Sequence, residues 1–260
     1  MATRNRLWSF PSSVESFVAQ THKNKTLCIY NDGETVKPVL SSLGFHTQGF
    51  YYPKTLRPPD ISKLVAESWT DERNENQIFL IENPMPEEEK LDVHIKWNRL
   101  MCDASQGDMF AIWDDDDYFA PTRLEKQLRF LQEELAFFCA AVDTPYFNLS
   151  TKEKVVFIGH EEKGVTKNGP RDFIDGSMLW RKVNPPYLFD ETTQGWNAVA
   201  KFRHGKPDVL VNPEHGELFI FTKHRFNTSS VSLTGKAYQE GYFDIPPLLQ
   251  KTLERYESLP

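Results

Sequence analysis

Apolar positions along this chain switch between two rhythms, and the switches mark its elements. Ser12-Ser13-Val14-Glu15 has capping-box spacing, and Val14, Phe17 and Val18 place one apolar face on a short helix. Thr26 to Tyr30 is a nearly unbroken apolar run, the pattern of a buried strand, and Asn31-Asp32-Gly33 closes it with a turn. A second short helix runs to Leu43 and stops at Gly44. Phe45 to Tyr51 predicts a strand, Asp60 caps a helix carrying Ile61, Leu64 and Val65, and Gln77 to Ile81 predicts another buried strand. Between Glu87 and Ser105 the apolar positions Val93, Trp97, Leu100, Met101 and Ala104 form a helical stripe, with Gly107 at its end. The apolar run Met109 to Trp113 follows as a strand. Pro121 then opens a helix whose core face is Leu124, Leu128, Leu131 and Leu135. Alternating strands and helices predict an α/β fold, a mixed central sheet flanked by helices.

Beyond residue 143 the rhythm loosens. Strands are expected at Val155–Ile158, Met178–Lys182, Val209–Val211 and Leu218–Thr222, with long loops between them and one helix from Thr193 to Phe202. Neither a repeat nor a clean linker interrupts the chain. One domain over residues 1–260 is expected, with lobes 1–143 and 144–260.

Composition narrows the class. With 260 residues, 39 % hydrophobic and 13 % aromatic, the chain can bury a full core and is not disordered. No apolar run reaches the length of a membrane span, and residues 1–6 lead into no signal-peptide core, so a cytoplasmic protein is expected. Cys28, Cys102 and Cys139 are far apart in apolar segments and read as buried thiols. The net charge of −7 disfavours unspecific nucleic-acid binding, yet residues 201–236 carry six Lys/Arg against three Asp/Glu. That leaves room for a local basic face.

The chemistry is concentrated in Asp114-Asp115-Asp116-Asp117, directly after the 109–113 strand. Four adjacent carboxylates repel one another, so such a run costs stability unless a cation sits there. A divalent metal site is the reading, against a merely solvated acidic loop. The EF-hand template fails, with Phe119 where that loop needs Gly and Tyr118 where it needs an oxygen ligand.

Lys96-Trp97-Asn98, Ala104-Ser105-Gln106-Gly107-Asp108, the acidic turn, Pro121, Leu124 and Gln127 together resemble the helix, strand and D-x-D block of the inverting family 2 glycosyltransferases of GT-A fold. Ser16 to Thr21, followed by Ile29-Tyr30-Asn31-Asp32-Gly33, is similar to a second ordered pair of that family's segments, and the likeness spans roughly residues 3 to 230. It implies a GT-A fold, with a nucleotide-sugar lobe over 1–143 and an acceptor lobe over 144–260. The implied activity is a metal-dependent transfer of a hexosyl or pentosyl group from a nucleotide sugar, a UDP-sugar, to an acceptor hydroxyl. Mn²⁺ or Mg²⁺ suits all-oxygen ligation, and such a cation stabilises the charge that develops on a diphosphate leaving group.

The resemblance also assigns residues. Asp116 would bind the metal, with Asp114 near the ribose, Asp115 beside it, and Asp117 a further ligand or a helix cap. Thr3, Arg6 and Asp32 would meet the base, with stabilisation of the Asn31-Asp32-Gly33 turn as the alternative role of Asp32, and Asn98 belongs to the donor block. The family's full hydrophobic first strand has no counterpart ahead of Thr3. His224 resembles a late metal or diphosphate ligand, flanked by Lys223 and Arg225 for phosphate charge; a surface basic cluster is the plain alternative. The family's catalytic Glu-Asp pair should fall near Gln194-Gly195-Trp196, where there is no carboxylate, so Glu191, then Asp190, then Asp175 are the candidate bases. Asp175 also fits a segment under the donor sugar or a simple turn. Rival readings are a sugar nucleotidyltransferase and a non-catalytic metal- or sugar-binding module. A glycan is the expected acceptor, with a modified nucleic-acid base as the alternative.

Overall fold

A computed structural model describes residues 1–51, 65–103, 107–141, 143–157, 175–183, 188–191, 209–212, 217–225, 238–240 and 243–259. The chain forms two compact units of interleaved segments. One comprises Met1–Leu7, Lys23–Phe110 and Arg181–Lys206; the other comprises Trp8–His22, Ala111–Trp180 and Pro207–Pro260. Residue 143, the expected lobe boundary, falls inside the second.

The first unit is built on a five-stranded sheet of order β1-β2-β5-β4-β3, formed by β1 (Ala2–Thr3), β2 (Thr26–Asn31), β3 (Phe45–Tyr51), β4 (Val65–Asp71) and β5 (Gln77–Glu82). β1, β2 and β5 run parallel, whereas β4 is antiparallel to both of its neighbours. β1 supplies only two residues where the resemblance expects a full strand, and Thr3 pairs with Asn31. Helix α1 (Phe10–Val18) belongs to the second unit, whereas α2 (Lys37–Ser42) and α3 (Val93–Asp103) belong to the first. α2 ends at Gly44, whose φ of 82° needs no Cβ penalty. α3 buries Leu100 against Tyr30, Ala66 and Ile81.

Three expectations in this unit change. The Asp60 helix lies outside the described residues, and Val65, assigned to its apolar face, instead opens β4. β4 went unforeseen because Glu67 interrupts its apolar pattern; that carboxylate is buried, accepting from Lys37 Nζ at 2.6 Å and Trp69 Nε1 at 3.0 Å. The Glu87–Ser105 helix is shorter: Glu87–Glu89 is a separate 3₁₀ turn, and α3 starts at Val93. Like charges in that run favour a short, exposed turn over a continued helix.

In the second unit, β7 (Tyr118–Phe119), β9 (Thr144–Asn148), β10 (Lys154–Phe157), β13 (Phe219–Lys223) and β14 (Tyr238–Glu240) form a sheet of order β14-β10-β9-β13-β7. A four-stranded sheet has the order β12-β8-β11-β6, from β6 (Met109–Ala111), β8 (Phe138–Ala141), β11 (Leu179–Arg181) and β12 (Val209–Asn212). The chain passes from one unit to the other within β6. Helices α4 (Arg123–Glu133) and α5 (Pro247–Glu257) complete the described elements.

α1 starts at Phe10 with Pro11 in its first turn, two residues ahead of the expected capping box, and Ser9 makes no side-chain cap. α4 also departs from its expected face. It buries Arg123, Leu124, Gln127 and Leu131, while Leu135 lies beyond the helix at φ 51°, 90 % exposed. Spacings of four from Arg123 define this face, so a cation and an amide occupy core positions. The expected helix at Thr193–Phe202 lies outside the described residues. The sequence pattern alone does not predict β8, β9 or β14, because short apolar stretches such as Phe138–Ala141 carry too little periodicity to read; α5, with Leu249, Thr252, Leu253 and Tyr256 inward, lies beyond the elements expected from the sequence although its spacing is helical.

Candidate functional site

In the second unit the acidic turn joins β6 to β7, and the first turn of α1 holds it from one side. Ser13 Oγ donates to the Asp114 carbonyl at 2.9 Å, and Trp113 Nε1 donates to the Ser13 carbonyl at 3.2 Å. β13 holds it from another. The Thr222 amide donates to Asp117 Oδ1 at 2.8 Å, and Thr222 Oγ1 donates to the Asp116 carbonyl. Two residues on, His224 Nε2 meets Asp116 Oδ2 at 2.8 Å. Thus β13 delivers both the clamp and the histidine.

His224 is itself fixed from behind. Its ring packs edge-on against Trp8, centroids 4.8 Å apart, and near Tyr256 of α5 at 6.2 Å. Tyr256 Oη is within 2.7 Å of Ser150 Oγ and accepts from the Arg225 amide at 3.3 Å. These supports join the cluster of Trp8, Phe147, Leu149, Ile220, Leu249 and Leu253.

Asp115, Asp116 and Asp117 are buried, and Asp114 is half-buried. Burial first, then the Asp116 and Asp114 carboxylates, push the Asp117 carboxyl well above its ordinary range, against the Thr222 hydrogen bond. Arg123 is the nearby cation. It is fully buried, and burial pulls its guanidinium down to about 10, against the raising effect of Asp114, Cys139 and Asp117. Gly176 closes the turn: a Cβ there would lie 2.7 Å from Asp114 Oδ2 and 2.9 Å from the Phe219 ring.

Do these residues suit a divalent cation? Asp116 Oδ2 and His224 Nε2 are adjacent donors, and Asp117 Oδ2 is buried with no hydrogen-bond partner among the described residues. The same residues contain no group of three or more His, Cys, Asp or Glu side chains gathered into a metal cage. An open arrangement fits a hard cation that takes one or two carboxylates from protein and fills its shell with phosphate oxygens and water.

The first unit holds the other candidates. Asp32 is fully buried at the end of β2. Its Oδ1 receives Lys96 Nζ at 2.6 Å, and its Oδ2 accepts the Leu91 amide at 3.1 Å, with Arg4 Nη1 3.5 Å away. A base N–H would have to compete with these three donors. Thr3 is buried in β1 and its carbonyl accepts the Asp32 amide at 3.5 Å; Arg6 is half-buried.

Asn98 does not stand open to a ligand. Its Oδ1 accepts the Phe189 amide at 2.8 Å and its Nδ2 donates to the Phe189 carbonyl at 2.9 Å. The same Nδ2 reaches Glu191 Oε1 at 3.0 Å. The structure therefore joins Asn98 to Glu191, two sites the sequence treats separately. Glu191 is exposed and Asp190 half-buried. Asp175 opens the 3₁₀ turn Asp175–Ser177. Lys223 ends β13 half-buried, and Arg225 is exposed. Sequence reasoning missed Arg123, Thr222, Ser13 and Tyr256. Only Arg123 left a readable trace, its four-residue spacing to Gln127 and Leu131.

The family described as Glycosyl transferase family 2 matches residues 96–185, from Lys96 through the acidic turn. That bears out the family resemblance over this stretch. Among solved structures, S. aureus TarS 1-349 in complex with UDP-GlcNAc is 12 % identical with a TM-score of 0.55, covering 89 % of this chain and 60 % of that one. TarS 1-349 in complex with UDP is 11 % identical with a TM-score of 0.54, covering 85 % and 59 %. The longer S. aureus TarS structure is 10 % identical with a TM-score of 0.51, covering 86 % and 35 %. The chain thus spans under two thirds of the length of these structures, and it shares their GT-A fold, as expected. No curated protein matches it.

Proposed function

We propose, from the premise of a glycosyltransferase family 2 segment at residues 96–185, that this chain transfers a sugar from a UDP-sugar to an acceptor hydroxyl with a divalent cation bound at the acidic turn. The observation that carries the reading is the Asp116–His224 pair, 2.8 Å apart beside the unpartnered Asp117 Oδ2. Asp116 and His224 hold Mn²⁺ or Mg²⁺, with Asp117 and Asp114 as supporting carboxylates. When bound, the cation offsets the negative charge that accumulates on the departing diphosphate. Lys223 and Arg225, on either side of His224, add phosphate-directed charge. UDP is favoured as the leaving group because the TarS structures of the same fold contain UDP and UDP-GlcNAc.

Asp114 and Asp115 take the nucleotide-side roles that the resemblance implies. Thr3 and Arg6 are assigned to the base, while Asp32 acts by ordering Arg4 and Lys96 at the end of β2. Glu191 is the acceptor-side base of an inverting displacement, with Asp190 and Asp175 behind it. Its exposure and its hydrogen bond from Asn98 favour it: one carboxylate oxygen is held and the side chain reaches solvent. A glycan is the favoured acceptor. Among the described residues no helix is long and apolar enough to cross a membrane.

Donor turnover with Mn²⁺ tests the class. Release of UDP supports a transferase, pyrophosphate exchange supports a nucleotidyltransferase, and silence supports a binding module. Radiolabelled UDP-sugars screened against glycan, protein and DNA acceptors identify the acceptor. The anomeric configuration of the product decides inversion, and Glu191→Gln should lower transfer by about 10²-fold with UDP affinity unchanged.

A further inference from the structure

Arg123 is a fully buried cation with no direct ion pair among the described residues, and its surroundings show what it does. Its plane lies among three aromatic rings, 4.5 Å from the Phe119 centroid, 5.3 Å from Trp113 and 5.9 Å from Phe219. Nη2 donates to the Gly176 carbonyl at 2.9 Å and approaches that of Met178 at 3.5 Å, while Nε donates to Gln127 Oε1 at 3.1 Å. Gln127 Nε2 in turn donates to the Ser177 carbonyl at 2.8 Å. Arg123 and Gln127, one turn apart on α4, therefore hold three consecutive carbonyls of the segment 176–178. Nη1 is buried with no hydrogen-bond partner among the described residues.

That segment is the wall against which Asp114 rests, since even a methyl group on Gly176 would come within 2.7 Å of Asp114 Oδ2. A guanidinium taken out of water costs several kcal/mol unless opposite charge faces it. The charges that favour its cationic form include those of Asp114 and Asp117. Such an attraction is mutual, so it acts on those two carboxylates as well.

We propose that Arg123 is the resident counter-charge of the acidic turn and a positioning residue for Asp114: it fixes the Gly176–Met178 wall and offsets carboxylate repulsion when no cation is bound. This rests on the proposed cation site only for its Mn²⁺ readout. Lysine cannot substitute fully, because a single ammonium lacks the planar fork that spans two carbonyls and an amide.

The test is a double-mutant cycle on the full chain in EDTA, read by urea denaturation. Arg123→Met lowers the midpoint, and Asp114→Asn placed in that background recovers at least half of the loss. Strict additivity of the two substitutions overturns the proposal. If Arg123→Met fails to fold, folding of the Arg123→Met/Asp114→Asn protein supports it and continued failure overturns it. Mn²⁺ alone supplies a second readout, one that a purely packing role would leave unchanged. It should raise the midpoint of Arg123→Met, or of the weaker Arg123→Gln, more than that of wild type. It should raise Arg123→Lys about as much as wild type. Equal responses from all variants overturn the counter-charge role. The EDTA cycle contains no cation, donor or acceptor, so its outcome stands whether or not the transferase reading survives.

Discussion

Removing the Asn98 carboxamide should release the segment that carries Glu191, and the size of the effect follows from three hydrogen bonds. Phe189 is 2 % exposed, and both of its backbone polar groups are satisfied by this one side chain. Asn98→Ala forfeits those two bonds and the one to Glu191, each worth about 1 kcal/mol net, so opening of the segment becomes easier by roughly 2–3 kcal/mol. At about 1.4 kcal/mol per tenfold, amide exchange at Phe189 should quicken roughly 30- to 150-fold. Asn98→Asp is the sharper probe. It keeps an acceptor for the Phe189 amide but places an oxygen where Nδ2 now faces the Phe189 carbonyl and Glu191 Oε1, at 2.9 and 3.0 Å. Repulsion then replaces two attractions, so Asp should be no better than Ala despite being isosteric. Hydrogen exchange at Phe189 reads the release, while transfer rate and UDP titration read its consequence, with transfer falling and UDP affinity holding. Wild-type exchange at Phe189 in Asn98→Ala would refute the reasoning at its root. Unchanged transfer despite fast exchange would remove Glu191 from the chemistry.

Asp116→Asn should abolish the rise in melting temperature that Mn²⁺ plus UDP gives wild type, because it removes the charged member of the Asp116–His224 donor pair; an undiminished rise would exclude Asp116 as a ligand. Lys96→Met leaves the buried Asp32 carboxylate facing only the Leu91 amide and Arg4, and should cost about 3 kcal/mol in urea denaturation, whereas Asp32→Leu combined with Lys96→Met should recover most of it. A loss under about 1 kcal/mol for the single change would mean that the pair is not buried in solution. Burial pushes the Cys139 thiol up to about 12, so at pH 8 only about one molecule in 10⁴ carries its thiolate, and iodoacetamide should leave it unmodified in the native protein but not in urea. This thiol stabilises the fold fully below its unfolded value and less as pH climbs through 12.

What could be read from the sequence follows from where periodicity is strong. β2, β5 and the strand before the acidic turn are legible because each is an apolar run bounded by turn residues, whereas β3 shows only in Phe45, Phe50 and Tyr51 at its ends after the stop at Gly44. β4 is not legible, since Glu67 is buried by partners, Lys37 and Trp69, that pattern alone cannot pair with it. α4 was found, but its inward face was misjudged by one position, because a Leu stripe outweighs a buried Arg in any reading of hydropathy. At the site, the local motif was legible and its supports were not. Thr222 lies 106 residues from Asp116, and Ser13 lies 101 from Asp114, distances over which sequence spacing carries no information.

Those separations also set a timetable for synthesis. α1 buries Phe10, Val14 and Phe17, and Arg255 Nη1 of α5 donates to Ser12 Oγ at 2.6 Å across 243 residues. At 5–20 residues per second, roughly 10–50 s pass between the emergence of the first helix and that of its last partner. For the first part of that interval the apolar face of α1 has no native surface to meet; Phe17 against Trp113 and the contacts of Gln20 and Ser13 with residues near 114–120 form only midway, and those with α5 last. Folding of the second unit is therefore bound to be slow and late, governed by the closure of long loops. A nascent chain stalled before residue 247 would expose an apolar helix face to chaperones, with its acidic turn in place but the Tyr256 prop behind His224 still unmade.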